Sequence, residues 1–320
     1  MNTHRLCVAP MMDVTDRHFR YFLRLVSREL FLYTEMVPVA ALLHGDPRRH
    51  LAYDPTERPL ALQLGGCDPG ELAHGARLAA QAGFDEVNLN CGCPSARVQA
   101  GAFGACLMRR PALVAACVRA MHEASGLPVT VKHRLGVDAD ESWSFLCDFV
   151  GTVAQAGCRT FLVHARTAVL TGLSPRANRS VPPLRHEQVW RLKRAFPELE
   201  IVVNGGVATR AEIARQLAHV DGVMIGRAAL AQPWFLSDGK RSREEVVAAY
   251  QRYATRELAR GVTLRRLVRH LHGLLHGEPG AARWRRALSD PGRLARNDPT
   301  LLAEALAEAR KVRAPERLAA

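Results

Sequence analysis

No run of about 18 uncharged apolar residues occurs in this 320-residue sequence, so no membrane-spanning helix is expected. The opening residues, Met1-Asn2-Thr3-His4-Arg5, lead directly into a strand-like segment and lack the apolar core of a signal peptide, so a cytoplasmic protein is expected. The eight cysteines have no framework spacing, and several lie inside apolar runs, as reduced core residues would. Cys91 and Cys93 are not followed by a second Cys/His pair at zinc-site spacing, so no metal site is expected. No Gly-x-Gly-x-x-Gly with a trailing acid is present, which argues against a dinucleotide-binding Rossmann half. Acidic residues are outnumbered, 31 against 44 Lys and Arg, for a net charge of +13 supplied mostly by arginine. Residues 241–320 carry 17 basic and 9 acidic residues. Such a local excess suits a polyanion, and equally a solvated arginine-rich surface.

What is present is alternation. Apolar runs at 5–11, 30–36, 60–65, 86–91, 128–133, 160–165, 201–204 and 222–226 read as strands. Helical patterns at 15–28, 69–82, 110–124, 141–156, 186–196 and 209–219 lie between them. Asp68-Pro69, Arg110-Pro111 and Thr209 read as helix starts, and Gly83, Gly126 and Gly157 as stops. Eight β-then-α units in about 235 residues match a TIM (β/α)8 barrel better than a doubly wound sheet. Strand signals end near 240, and 243–260, 262–276, 281–288 and 299–312 read as helices. The expected organisation is a barrel over residues 1–240 and a small basic α-helical domain over 241–320. Residues 166–185 follow the sixth strand without a clear element, as a lid or binding loop would.

In a TIM barrel the C-terminal strand ends converge on one site. Here they deliver Ala9 to Met12, Glu35-Met36, Gln63 to Gly66, Asn88 to Cys93, Lys132 to Arg134, His164 to Arg166, Asn204 to Gly206 and Gly226-Arg227. The set is rich in amides, small residues and cations. It lacks the paired carboxylates of a glycosidase or a two-metal phosphotransfer site. Asn204-Gly205-Gly206 and Gly226-Arg227, after the last two strands, suit a phosphate, although Asn-Gly-Gly is also an ordinary turn. Gln63, Lys132 and His164 would then face the rest of a cofactor, and a flavin fits such a donor and acceptor set.

Together, Val-Ala-Pro-Met-Met-Asp (8–13), Leu-Tyr-Thr-Glu-Met (32–36), Ala-Leu-Gln-Leu-Gly-Gly (61–66) and Asn-Leu-Asn-Cys-Gly-Cys-Pro-Ser (88–95) resemble the tRNA-dihydrouridine synthase family. So do Val-Lys-x-Arg (131–134), Val-His-Ala-Arg (163–166), Asn-Gly-Gly (204–206) and Met-Ile-Gly-Arg (224–227). The stretches 103–108, 173–184 and 284–286 are similar to its DusA-like subgroup, which is associated with uridines 20 and 20a of the tRNA D-loop. The resemblance implies an FMN enzyme with NADPH as electron donor and tRNA as substrate. Hydride passes from reduced FMN to C6 of a uracil, and a cysteine protonates C5. It places FMN contacts on Pro10, Met11, Met12, Gln63, Lys132, His164, Asn204, Gly205, Gly206, Gly226 and Arg227. The catalytic acid falls on Cys93, and Asn90 falls beside the target base. Cys91 receives no role.

An ordinary thiol titrates near about 8.5 and stays mostly protonated at pH 7, as an acid must. Cys93 is therefore expected to lie away from Lys132. The target base has to leave its stack to reach a barrel mouth. Arg176 and Arg179 on the long loop, and Arg283, Arg285 and Arg286 in the helical domain, are the expected tRNA contacts; the enzyme is expected to act as a monomer. The alternatives are an FMN barrel acting on a free pyrimidine or small enone, and a flavin-free RNA-binding protein.

Overall fold

The computed structural model describes residues 4–311, in two compact units: 4–17 with 30–226, and 18–29 with 227–311. The first is a parallel barrel of β1 (Leu6–Val8), β2 (Leu32–Pro38), β3 (Leu60–Gly65), β4 (Glu86–Cys91), β5 (Val129–Arg134), β6 (Thr160–His164), β7 (Glu200–Asn204) and β8 (Gly222–Ile225). Consecutive strands from β2 to β8 pair with one another, and β1 pairs with β8. The ring closes where Phe31 N donates to Leu6 O and Val8 N to Phe31 O, at 2.9 and 3.0 Å. This is the TIM barrel read from the alternation. β3, β4, β6 and β8 are buried at every position, because parallel strands are covered on both faces. Cys7, Ala9, Phe31, Tyr33, Ala61, Leu162, Val202 and Met224 fill the interior.

Helix boundaries follow the capping chemistry. The Asp68 side chain accepts from Glu71 N ahead of Pro69–Ala82, and Gly83 ends that helix in the left-handed region at φ 85°. Thr209 and Glu212 form a reciprocal capping box at the start of Arg210–Leu217. Short helices that the apolar pattern does not announce occur at Val39–His44, Pro47–Leu51 and Ala96–Ala100, each too brief for a helical period to register. The 166–185 stretch carries a parallel β-bridge from Ala168 to Val137 and a 3-10 turn, Ala177–Arg179.

The second unit holds Arg243–Ala259, Leu264–Val268, Ala281–Ser289, Pro291–Ala295 and Leu301–Arg310. The helix expected over 262–276 stops at Val268 and continues as turns. At Gly273 a Cβ would lie 2.5 Å from the carbonyl oxygens of Leu230 and Ala231, so the chain passes against backbone there. Residues 18–29 and 227–240 belong to this unit, the former through their aromatic packing. Tyr21 stacks on Tyr253 at 3.9 Å, Phe22 meets Tyr250 edge-on at 5.8 Å, and His18 Nδ1 lies 2.7 Å from the Tyr253 hydroxyl.

Candidate active site at the barrel mouth

The end of β4 carries Asn90, whose Oδ1 accepts from the backbone N–H of Gly92 and Cys93 at 3.1 and 3.0 Å. Its Nδ2 donates to Gln63 Oε1 on β3 at 2.9 Å. Three of the four hydrogen bonds open to an asparagine amide are thus made within the protein. Asn90 shapes the loop that presents Cys93. That half-buried thiol lies 3.5 Å from Ser95 Oγ, and Ser95 caps the helix Ala96–Ala100. The other cysteine of the octapeptide, Cys91, is fully buried, and burial pushes its thiol well above the ordinary range. Gly104 closes over the loop with φ 80°, where a Cβ would sit 2.5 Å from Cys93 O.

Alternation along β5 puts Lys132 and Arg134 on the interior side. His133 is turned outward, packed on Phe149 and Phe161. Lys132 Nζ donates to Asn204 Oδ1 at 3.1 Å, and Asn204 Nδ2 donates to Met224 O at 2.8 Å. The lysine keeps some accessible surface, yet its ammonium is surrounded by protein. Burial, followed by the Arg134 charge, lowers it to about 7, against an opposing influence from Cys93. Arg134 bridges two loops, with Nε donating to Gly92 O at 3.1 Å and a terminal nitrogen to Asn178 O at 3.0 Å. Burial lowers it to about 10, again opposed by Cys93. Cys93 thus exerts an electrostatic influence on both cations, and Arg134 reaches the neighbouring Gly92 carbonyl. Neither cation pairs with a carboxylate among the described residues. His164 is held neutral, well below the usual imidazole range, by burial and then by Arg134, Lys132, Arg166 and Arg179.

Gly205 and Gly206 adopt φ values of 110° and 71°. A Cβ on Gly205 would meet the His164 ring at 2.8 Å, and one on Gly206 would meet Leu184 at 2.3 Å. His186 fixes this turn through a 2.7 Å contact from Nε2 to Gly205 O. At Gly226, by contrast, a Cβ would find only Ala9 Cβ, at 4.0 Å. Arg227 opens the next helix, Arg227–Ala231, and is counted with the second unit. Pro10, Met11 and Met12 follow β1. Met11 N donates to Thr15 Oγ1 at 2.9 Å, and Met12 is 56% exposed.

The 166–185 stretch is fastened rather than loose. Buried Asn178 accepts from Val169 N and donates to Val169 O, both at 2.8 Å. Glu141 accepts from Thr167 at 2.8 Å and pairs with Arg185 at 3.2 Å, tying both ends of the stretch. Arg176 and Arg179 are exposed on it. In the second unit Arg283, Arg285 and Arg286 are exposed around buried Trp284, whose indole donates to Leu271 O at 2.9 Å.

Sequence reasoning gave no role to Arg134, Asn178, Asn88 or Glu86. For Arg134 a signal existed, since a period of two places it on the same side of β5 as Lys132. For Asn178 no local pattern marks a loop asparagine as buried.

Residues 7–311 match the family described as Dihydrouridine synthase (Dus). The chain is 54% identical over 297 residues to a tRNA-dihydrouridine(20/20a) synthase of Pseudomonas aeruginosa, covering 90% of each chain. It is 51% identical over 311 residues to the protein of that name from Synechocystis sp., covering 94% of this chain and 93% of the relative. Among solved structures, a 2-naphthoyl-CoA reductase complex aligns with a TM-score of 0.55 at 10% identity, over 72% of this chain and 49% of that one, a likeness of fold alone. The chain belongs to the dihydrouridine synthase family.

Proposed function

We propose that this protein reduces the C5–C6 bond of D-loop uridines 20 and 20a in tRNA, using FMN with NADPH as electron donor. The observation that carries the reading is the convergence at the barrel mouth of Lys132 and Arg134, neither paired with a carboxylate among the described residues, with the half-buried Cys93 thiol beside the Gly92 carbonyl that Arg134 holds. Burial of these basic groups pushes both toward their neutral forms, and an anion bound at the mouth would restore their charge. The residues fit FMN. The open face at Gly226 leaves room where phosphate binds in many barrels, beside the Gly205-Gly206 turn held close against His164 and Leu184, and the His164 ring makes no hydrogen bond to a described residue. Gln63, Lys132, His164, Asn204, Gly205, Gly206 and Gly226 would hold the group, with Pro10, Met11 and Met12 from the β1 loop and Arg227 contributing. When bound and reduced, FMN supplies hydride to C6 of the uracil.

The chain's own work is then on the proton. Hydride at C6 builds enolate-like charge over C5 and the C4 carbonyl, and Cys93 Sγ–H delivers its proton to C5. Asn90 keeps the Cys93 backbone in register, with one Nδ2–H left for the base. The base arrives extruded from its stack. Exposed Arg176, Arg179, Arg283, Arg285 and Arg286 would position the tRNA through phosphate contacts. We place the enzyme in the cytoplasm, where its substrate is, acting as a monomer; no helix among the described residues is long and apolar enough to cross a membrane. The test is complementation of a deletion strain with this chain, followed by mapping dihydrouridine at positions 20 and 20a. Restored modification with a flavin-coloured protein is expected. Protein that stays colourless after FMN addition, or tRNA left unmodified, overturns the reading.

A further inference from the structure

A chain of buried hydrogen bonds runs down the barrel interior from the Cys93 loop. The Gly92 and Cys93 N–H groups donate to Asn90 Oδ1, and Asn90 Nδ2 donates to Gln63 Oε1. Gln63 Nε2 donates to Asn88 Oδ1 at 2.7 Å, and Asn88 Nδ2 to Thr130 Oγ1 at 2.8 Å. The Thr130 hydroxyl donates to Glu86 Oε1 at 2.6 Å. Glu86 starts β4, four residues and roughly 13 Å of strand from Asn90. Its carboxylate also accepts from Tyr33 OH at 3.1 Å and from His4 Nε2 at 2.7 Å, while His4 Nδ1 bonds to Glu200 at 2.8 Å.

Every donor in this chain points the same way, and both ends impose that direction. The Thr130 hydroxyl donates to Glu86 Oε1 and so has only its oxygen to offer Asn88. Asn88 must then turn its NH2 toward Thr130 and its oxygen toward Gln63, and Gln63 must turn its oxygen toward Asn90. At the far end two backbone N–H groups demand the oxygen of Asn90. We propose that Glu86, acting through Thr130 and Asn88, is a positioning residue that sets the amide orientation of Gln63 and Asn90, and so the placement of Cys93. Its catalytic meaning rests on the functional reading above.

The orientation itself is tested without cofactor turnover. Thr130→Val removes the link while leaving the His4–Glu86–Glu200 cluster whole. Glu86→Gln replaces the acceptor with an amide that can also donate. Thr130→Ser keeps the hydroxyl. The readouts are the rate of Cys93 alkylation by iodoacetamide, followed by peptide mass spectrometry, and the FMN dissociation constant from flavin fluorescence. Thr130→Val and Glu86→Gln should each shift both by roughly tenfold or more, the size of effect seen when outer supports of a site are lost. Thr130→Ser should match wild type. If one variant fails to fold, the other decides. Alkylation and FMN affinity within about twofold of wild type in a folded variant, with only Tm lowered, would overturn the proposal. If wild-type protein binds no FMN, the functional reading fails, and the alkylation rates still decide on the relay.

Discussion

Asn178→Ala should uncouple the flavin half of the reaction from the tRNA half. The side chain is fully buried and makes two 2.8 Å hydrogen bonds with Val169, together with 3.4 Å contacts from Nδ2 to Leu173 O and Ser174 O. At about 1 kcal/mol for each good bond, and somewhat more for backbone groups left without partners, the fastening weakens by about 2–3 kcal/mol. That is roughly a 30- to 150-fold loss in the ratio of ordered to released loop. The Asn178 carbonyl is also the seat of Arg134, so release of the loop disturbs the bridge to Gly92 O. Tryptic cleavage after Arg176 and Arg179 should accelerate, and kcat/KM for unmodified tRNA should fall at least about tenfold. Flavin reduction by NADPH, followed by bleaching without tRNA, should change little. Unchanged proteolysis together with unchanged kcat/KM would refute the view that this asparagine orders the loop.

His4 gives a pH test. Burial acts to lower its pKa, but the bonds to Glu200 and Glu86 outweigh it and raise the value to about 9 from 6.5. Its stabilising contribution is therefore complete below pH 6.5 and lost as pH rises through 9, at about 1.4 kcal/mol per unit and at most about 3 kcal/mol in all. Lys132, lowered to about 7, acts with the opposite sign over pH 7 to 10.5, so the comparison is wild type against His4→Leu, which share it. Urea unfolding at pH 6.5, 7.5 and 8.5 should show the difference shrinking with pH; a constant difference would contradict the assignment. The phosphate cradle yields a contrast between two glycines. Gly206→Ala, with φ 71° and Leu184 at 2.3 Å, should lower both Tm and bound flavin. Gly226→Ala, with nothing nearer than 4.0 Å, should leave Tm unchanged and still lower the flavin-to-protein absorbance ratio. Full FMN content in the Gly226 variant would remove that strand end from the cofactor site.

The barrel was legible because its strands are short apolar runs punctuated by caps and glycine stops, signals that act over one to four residues. The same locality explains the misses. The helix over 262–276 shows a helical apolar pattern, but a close pass against Leu230 and Ala231 requires glycine and a turn at 273. Residues 18–29 join the second unit because Tyr21 and Phe22 choose partners more than 220 residues away, Tyr253 and Tyr250. At the mouth, the octapeptide and the Lys132, His164 and Asn204 positions could be read as chemistry from type and place. Glu86 could not, since an acid at the start of a strand reads as solvent-facing until Thr130, Tyr33 and His4 are seen converging on it.

The central claim is that Cys93 gives the proton to C5 of the uracil. The direct measurement is single-turnover dihydrouridine formation on unmodified tRNA by FMN-loaded Cys93→Ala and Cys93→Ser, beside NADPH-driven flavin reduction in the same samples. Loss of the acid should slow dihydrouridine formation by about 10²- to 10⁴-fold while flavin reduction proceeds at the wild-type rate. Dihydrouridine formation near the wild-type rate in the alanine variant would contradict the account.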